Sequence, residues 1–179
     1  MKSGTPTPEV TALLEGTLHE VEPILTPRLC YRTVEVKHTG TGVEIGGFPL
    51  ASAQLARALS GCTKAIVFAA TAGLALDRTI ARYGRVSPAR ALAAQGIGTE
   101  RTEALCDAFV KEQNAMLAQK GMRLRPRFSP GYGDLSLTAQ HALFALLSPE
   151  KHIGVTLTKD LLMSPTKSVT AIAGIEVIT

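Results

Sequence analysis

The sequence contains no tryptophan, and aromatic residues make up only 4% of its 179 residues. A chain so poor in flat side chains has little with which to stack nucleobases. Its 19 Lys and Arg exceed its 15 Asp and Glu, giving a net charge of +4. These bases are spread along the chain without a Lys/Arg run, so nucleic acid is not expected as a partner. Cysteine is scarce: Cys30, Cys62 and Cys106 are odd in number, widely spaced and form no Cys-x-x-Cys pair. Neither a disulfide framework nor a zinc site is indicated, and reduced, buried thiols are expected. The longest apolar run, Ala65 to Ala70, is far below the roughly 20 residues that cross a bilayer. Residues 1–10 hold no apolar signal core, so the expectation is a cytoplasmic protein with no membrane partner.

Catalytic signatures are missing too. There is no Walker-type loop, no Gly-x-Ser-x-Gly elbow and no His-Glu-x-x-His, and His19, His38, His141 and His152 lack ligand spacing. Gly40-x-Gly42-x-x-x-Gly46 is one residue too long for a dinucleotide fingerprint. It also falls in a hairpin, where the phosphate-binding mechanism needs a helix N-terminus.

What is abundant is alanine, with 14 of the 24 falling between positions 51 and 100. Small side chains there favour helices lying close on a sheet. Thr7-Pro8 reads as a cap and first helical residue, followed by Val10, Leu13, Leu14, Leu18 and Val21 at helical spacing until Pro23. From Leu29 to Ile45 the pattern is that of a hairpin whose loop runs from His38 to Gly42. Ser52 to Leu59 reads as a short helix closed by Gly61. Lys64 to Thr71 has the length of a buried central strand. A helix after Gly73 carries Leu76, Ile80 and Tyr83 and ends at Gly84. Ser87-Pro88 opens another that reaches Lys120-Gly121, with a break or bend expected at Gly96 and Gly98.

Met122 to Phe128 reads as a strand whose Pro126 favours an edge. Ser136 then caps a helix that Pro149 ends, and strand-like segments run from Ile153 to Leu157 and from Ser168 to Ile178. The fold class is α+β: a mostly antiparallel, twisted sheet covered by helices, including a long central one.

The chemically informative segment is Arg123-Leu-Arg-Pro-Arg127-Phe-Ser-Pro-Gly131-Tyr132-Gly133-Asp134. A guanidinium offers a planar fork to a carboxylate, glycines expose backbone N–H groups, and prolines stiffen the loop, so the segment suits an anion. On composition alone, a solvated strand face followed by a tight turn is the simpler reading.

Arg127-x-x-x-Gly131-Tyr132 resembles the Arg-x-x-x-Gly-Tyr signature of the activation (reactivation) domain of cobalamin-dependent methionine synthase. Val67-Phe-Ala-Ala-Thr71-Ala-Gly73 is similar to that family's Phe-Ala-x-Thr-x-Gly strand, and Glu103-Ala-Leu-Cys-Asp-Ala-Phe109 to its long central helix. Ile153-Gly154-x-x-Leu157-Thr158 and Pro165-Thr-Lys167-Ser168-Val169-Thr170 follow in the same order. The resemblance spans about residues 25–179, leaving 1–24 as an N-terminal helical extension. It is nearest to stand-alone members, which carry Arg-Phe-Ser-Pro-Gly-Tyr-Gly-Asp.

The resemblance implies an S-adenosylmethionine-binding module that supports reductive methylation of cobalamin in methionine biosynthesis. Arg127 would pair with the methionine carboxylate, and Ser129, Pro130, Gly131 and Tyr132 would hold the ligand through the turn. Glu103 matches an acidic residue near the ligand; an ordinary solvent-facing helix glutamate is the alternative. Ala173 and Gly174 align with positions that contact the adenosyl part, where full-length enzymes have aromatics. Those enzymes add an aspartate from further N-terminal, for which Asp77 and Asp134 are the nearby substitutes; each also fits as an acid at a helix start.

No histidine here carries the family's Asp-x-His-x-x-Gly cobalamin signature. Cobalamin is therefore expected on a partner, a separate methionine synthase or corrinoid protein, with a flavodoxin-like reductant supplying the electron. The chain is expected to act in trans as a component rather than as a complete enzyme. The other reading is a non-catalytic S-adenosylmethionine-sensing or scaffold domain.

Overall fold

In the computed structural model, residues 7–40 and 42–178 are described. Helix α1 (Pro8–Val21) starts where Thr7 caps it, the Thr7 hydroxyl accepting from the Val10 N–H. Strands β1 (Arg28–Thr39), β2 (Gly42–Ile45) and β3 (Phe48–Leu50) lead to the short helix α2 (Ala53–Ala58) and strand β4 (Lys64–Thr71). Helices α3 (Leu74–Val86) and α4 (Pro88–Ala118) come next, then strand β5 (Met122–Leu124), helices α5 (Gln140–Leu147) and α6 (Pro149–His152), and strands β6 (Thr156–Leu157), β7 (Met163–Ser164) and β8 (Ser168–Val177).

Six strands form one antiparallel sheet in the order β3-β2-β1-β4-β8-β5, and β6 pairs with β7 apart from it. β4 lies near the middle, buried from Ala65 to Thr71. Side chains alternate between faces along a strand. Ala65, Val67 and Ala69 therefore pack with Leu55, Leu59, Leu143 and Ile172 under α2 and α5. Ile66, Phe68 and Ala70 pack with Cys106, Phe109, Ala171 and Ala173 under α4. The α+β, antiparallel, helix-covered architecture expected from the sequence is the one found.

α1 joins this core at its C-terminal end. Val21 is fully buried with Leu76, Tyr83 and Ala94. The Tyr83 hydroxyl donates to Glu20 (2.5 Å), which also pairs with Arg90 (3.0 Å), and Glu22 pairs with Arg101 (2.9 Å). Among the described residues no helix is long and apolar enough to cross a membrane.

Several local expectations are corrected. The β1–β2 hairpin has a tighter connection than His38–Gly42, because pairing continues to Thr39↔Gly42 and His38 lies within β1. Gly42 is required by packing: a Cβ there would lie 2.2 Å from the Leu50 carbonyl oxygen. α3 runs through Gly84 to Val86, and Ser87 both ends it and caps α4.

α4 is one uninterrupted helix of 31 residues. Gly98 does not break it; it lets α3 close in, since a Cβ there would lie 2.4 Å from Leu76 Cδ2. The strand expected over 122–128 ends at Leu124, consistent with the missing donor at Pro126, and Phe128 rejoins the sheet through an isolated bridge to Ile172. After Ser136 the chain makes a 3-10 turn (Leu137–Ala139) before α5, and Pro149 opens α6 as well as following α5. The segment from Ile153 is strand only at Thr156–Leu157, and β3 and β7 are too short for sequence periodicity to reveal.

The two mid-helix glycines should respond oppositely to alanine. At Gly96 an added methyl would meet nothing within 4 Å, so Gly96→Ala should raise stability by about 1 kcal/mol in urea unfolding. Gly98→Ala should lower it by about 1–3 kcal/mol, because the methyl overpacks the buried Leu76.

Candidate functional site

The turn after β5 is fixed at both ends before any ligand arrives. At its start, Phe128 and Ile172 exchange two backbone hydrogen bonds of 2.8 Å. Within it, the Gly131 N–H donates to the Leu135 carbonyl (2.8 Å) and the Tyr132 N–H to the Ser129 carbonyl (3.1 Å). Gly131 takes φ +86°, a left-handed value that a side chain would strain. At its end, Asp134 reaches the N-terminus of α2, accepting from the Ser52 hydroxyl and from the Ala53 N–H (2.9 Å). Ser52 in turn caps α2 by accepting from the Leu55 N–H (2.9 Å).

Against this turn lies a cavity of about 410 Å³, within the range of roughly 300–1,000 Å³ usual for small-molecule sites. The turn supplies Arg127, Phe128, Ser129, Pro130 and Tyr132, while Glu103 comes from α4. Gln140 at the start of α5, Met163 of β7, and Ser168, Val169 and Thr170 of β8 complete the lining. Tyr132 is largely exposed, so its ring flanks the mouth.

Arg127 sets the electrostatics. Its Nη2 donates to Glu103 (2.5 Å) and to Asp107 (3.2 Å), two acids four residues apart on one face of α4. Burial opposes the guanidinium's charge, and the Glu103 bond with the nearby negative groups outweighs it, so its pKa lies above the ordinary arginine value. The guanidinium also stands against the Cys106 thiol, whose pKa it pulls down. The side chain is 25% exposed and lines the cavity, where a guanidinium can meet a carboxylate.

The other two arginines are engaged elsewhere. Arg123 Nε and Arg125 Nε donate to the two oxygens of Glu176, at 2.6 Å each, and the Arg125 Nη1 donates to the Ala58 carbonyl. The expected row of three arginines beside the turn thus reduces to Arg127 alone at the cavity.

The cysteine thiols are held in their neutral form. Burial pushes the Cys106 thiol up to about 11, against the pull of Arg127. Cys30 and Cys62 are likewise raised by burial. Among the described residues no group of three or more His, Cys, Asp or Glu could hold a metal.

The structure brings Arg127, Ser129, Pro130, Tyr132 and Glu103 to one cavity, with Gly131 forming the turn behind it. It does not bring Ala173 or Gly174 there. Ala173 is fully buried beneath α4, and a Cβ on Gly174 would lie 2.7 Å from Cys62 Sγ and 2.8 Å from Leu59 Cδ2.

Both acidic substitutes are engaged by backbone N–H and hydroxyl donors of the fold. Asp77 accepts from the Thr166 N–H (2.7 Å) and hydroxyl (2.8 Å), and Asp134 holds α2. Sequence reasoning missed Asp107, Gln140 and Met163. The i, i+4 spacing from Glu103 could have revealed Asp107, but no local signal joins Gln140 to Thr170.

The fold and site define a class: an α+β domain whose sheet edge carries a cavity bounded by a guanidinium and a rigid turn. The chain belongs to the family described as vitamin B12 dependent methionine synthase, activation domain, which matches residues 60–176. No curated protein matches the sequence. Among solved structures, the fold is similar to the MetH reactivation domain bound to AdoHcy, with a TM-score of 0.61 and 18% identity over 93% of this chain and 65% of that one. The chain thus spans less than two thirds of that neighbour, and at this identity the likeness is one of fold.

The anchor of the turn gives a pH-dependent prediction. The Asp134 carboxyl is held below its ordinary value chiefly by the Ser52 hydroxyl, helped by the Gln54 and Ala53 N–H groups. A depressed carboxylate stabilises the fold above its unfolded pKa of about 3.9, and that contribution is lost as pH falls through the lower folded value. Asp134→Asn should therefore be less stable than wild type at neutral pH, and the gap should close in thermal melts taken below about pH 4. Ser52→Ala, which removes the α2 cap, should cost about 1–2 kcal/mol.

Proposed function

We propose that the chain binds S-adenosylmethionine in the Arg127 cavity and presents its methyl group to cobalamin held by a separate methionine synthase or corrinoid protein. The observation that carries this reading is the cavity-lining Arg127 guanidinium beside the rigid Ser129–Tyr132 turn. A zwitterionic amino-acid end suits that place: its carboxylate meets the guanidinium, and its ammonium faces Glu103 and Asp107. Support also comes from the family, and from the AdoHcy bound to the MetH neighbour, which is what S-adenosylmethionine becomes when its methyl leaves.

A partner's cob(II)alamin, taken to cob(I)alamin by one electron from the donor, would accept the methyl from the sulfonium, and S-adenosylhomocysteine would be left in the site. This chain then supplies orientation and a partly dry site, and needs no acid, base or nucleophile of its own. A flavodoxin-like protein is the proposed electron donor, and the cytoplasm the proposed setting. Residues 25–179 form the working unit, with the preceding helical segment as a brace on α3 and α4.

Calorimetric titration with S-adenosylmethionine tests the site. Wild type should bind, and Arg127→Ala should bind at least about tenfold more weakly, since a charged hydrogen bond is lost. Equal affinities would remove the assigned carboxylate contact. Addition of this protein to a cobalamin-carrying partner with reductant and S-adenosylmethionine should raise methylcobalamin absorbance; no rise above background would reject the role in trans.

A further inference from the structure

The cavity wraps an open sheet edge. Ala72 N–H donates to the Lys167 carbonyl (2.9 Å) on the β4 side of β8, whereas Ile172 exchanges both of its bonds with Phe128 on the opposite side. In an antiparallel strand the N–H and C=O of one residue point to the same edge and alternate residue by residue. Thr170, in step with Ile172, therefore aims both groups away from β4. β5 pairs only with residues 175–177 of β8 and the Phe128 bridge reaches only Ile172. Among the described residues, nothing on the backbone pairs with Thr170 on that edge.

Gln140 sits beside this bare edge. It is 3% exposed and Thr170 is 2% exposed. The Thr170 hydroxyl donates to Gln140 Oε1 at 2.8 Å. That bond fixes the carboxamide with Nε2 outward, and Nε2 has no protein partner among the described residues although the residue lines the cavity. Nε2 is not sealed off from solvent, so on a side chain that is otherwise buried it is a donor available to a ligand in the cavity.

The two ends of the cavity differ in character. Arg127 and Glu103 lie on the α4 side, whereas Gln140 and the Thr170 side chain lie on the α5 side. The first is charged; the second is neutral, with Met163 and Pro130 for apolar contact.

We infer that Gln140 and the free edge of Thr170 read the nucleobase of the ligand and select adenine. This rests on the S-adenosylmethionine reading above and assigns the half of the ligand that Arg127 does not touch. Adenine presents an amino donor next to ring-nitrogen acceptors, which matches a carbonyl beside N–H donors. Hypoxanthine turns the amino group into a carbonyl and N1 into a donor, so both matches fail. The open edge at Thr170 is too short for an added peptide strand.

The test uses calorimetry of S-adenosylhomocysteine and its deaminated analogue S-inosylhomocysteine with the full chain, as wild type, Gln140→Leu and Gln140→Glu. Wild type should favour the adenosyl ligand by about tenfold or more, the loss expected when buried partners go unpaired. Gln140→Leu should bind it about tenfold more weakly and lose most of the preference. Gln140→Glu keeps the volume and the Thr170 bond but not the donors, and should shift the same way; thermal melts confirm that each variant is folded. Adenosyl binding without preference in wild type, or a preference unchanged in both variants, overturns the assignment while leaving the Arg127 site standing. Binding of neither ligand to wild type rejects the S-adenosylmethionine reading itself, and this inference with it.

Discussion

β4 meets water on neither face, and that constraint organises the molecule. Every residue from Ala65 to Thr71 is buried, so helices must cover both sides of the sheet. Ala65, Ala69 and Ala70 leave room for them to approach. The larger Phe68 faces α4, where its ring meets Phe109 at 5.1 Å. With β1 on one side and β8 on the other, β4 also fixes the strand whose far edge borders the cavity.

The cavity follows from an interruption at that edge. β5 pairs with only three residues of β8, and past Leu124 the chain holds the sheet through the Arg125 N–H to the Gly174 carbonyl (2.8 Å) and again at Phe128. The space beyond is lined from both faces at once, by Glu103 from α4 and Gln140 from α5. The loop carrying Pro165 to Lys167 is drawn against the helices, with Thr166 held by Asp77 and the Lys167 ammonium by Thr99 (3.1 Å). These hydrogen-bonded supports hold the cavity walls in place, which is what the proposed positioning of a ligand requires.

The sequence made the long elements legible because each carries its own boundary chemistry. Thr7-Pro8 and Ser87-Pro88 cap helices where expected, and Lys64 to Thr71 is the buried central strand it resembles. Gly98 misled for a physical reason: its intrinsic helix cost is real, but the close approach of Leu76 outweighs it. The site was half legible. Arg127, Glu103 and the Ser129–Tyr132 turn were recognisable as motifs, and they converge on one cavity. Ala173 and Gly174, aligned by resemblance with ligand contacts, instead fill tight places beneath α4 and α2.

By itself the sequence determined the long helices and strands, the antiparallel class and the chemistry available at the turn, since caps, periodicity and a guanidinium act over a few residues. Tertiary structure alone decided how those groups are used. Of three arginines in alternate positions, Glu176 takes two and leaves Arg127 to the cavity. Gln140 and Thr170 become partners across 30 residues. Charge pairing and sheet-edge exposure depend on which strands end beside one another, and no local pattern encodes that.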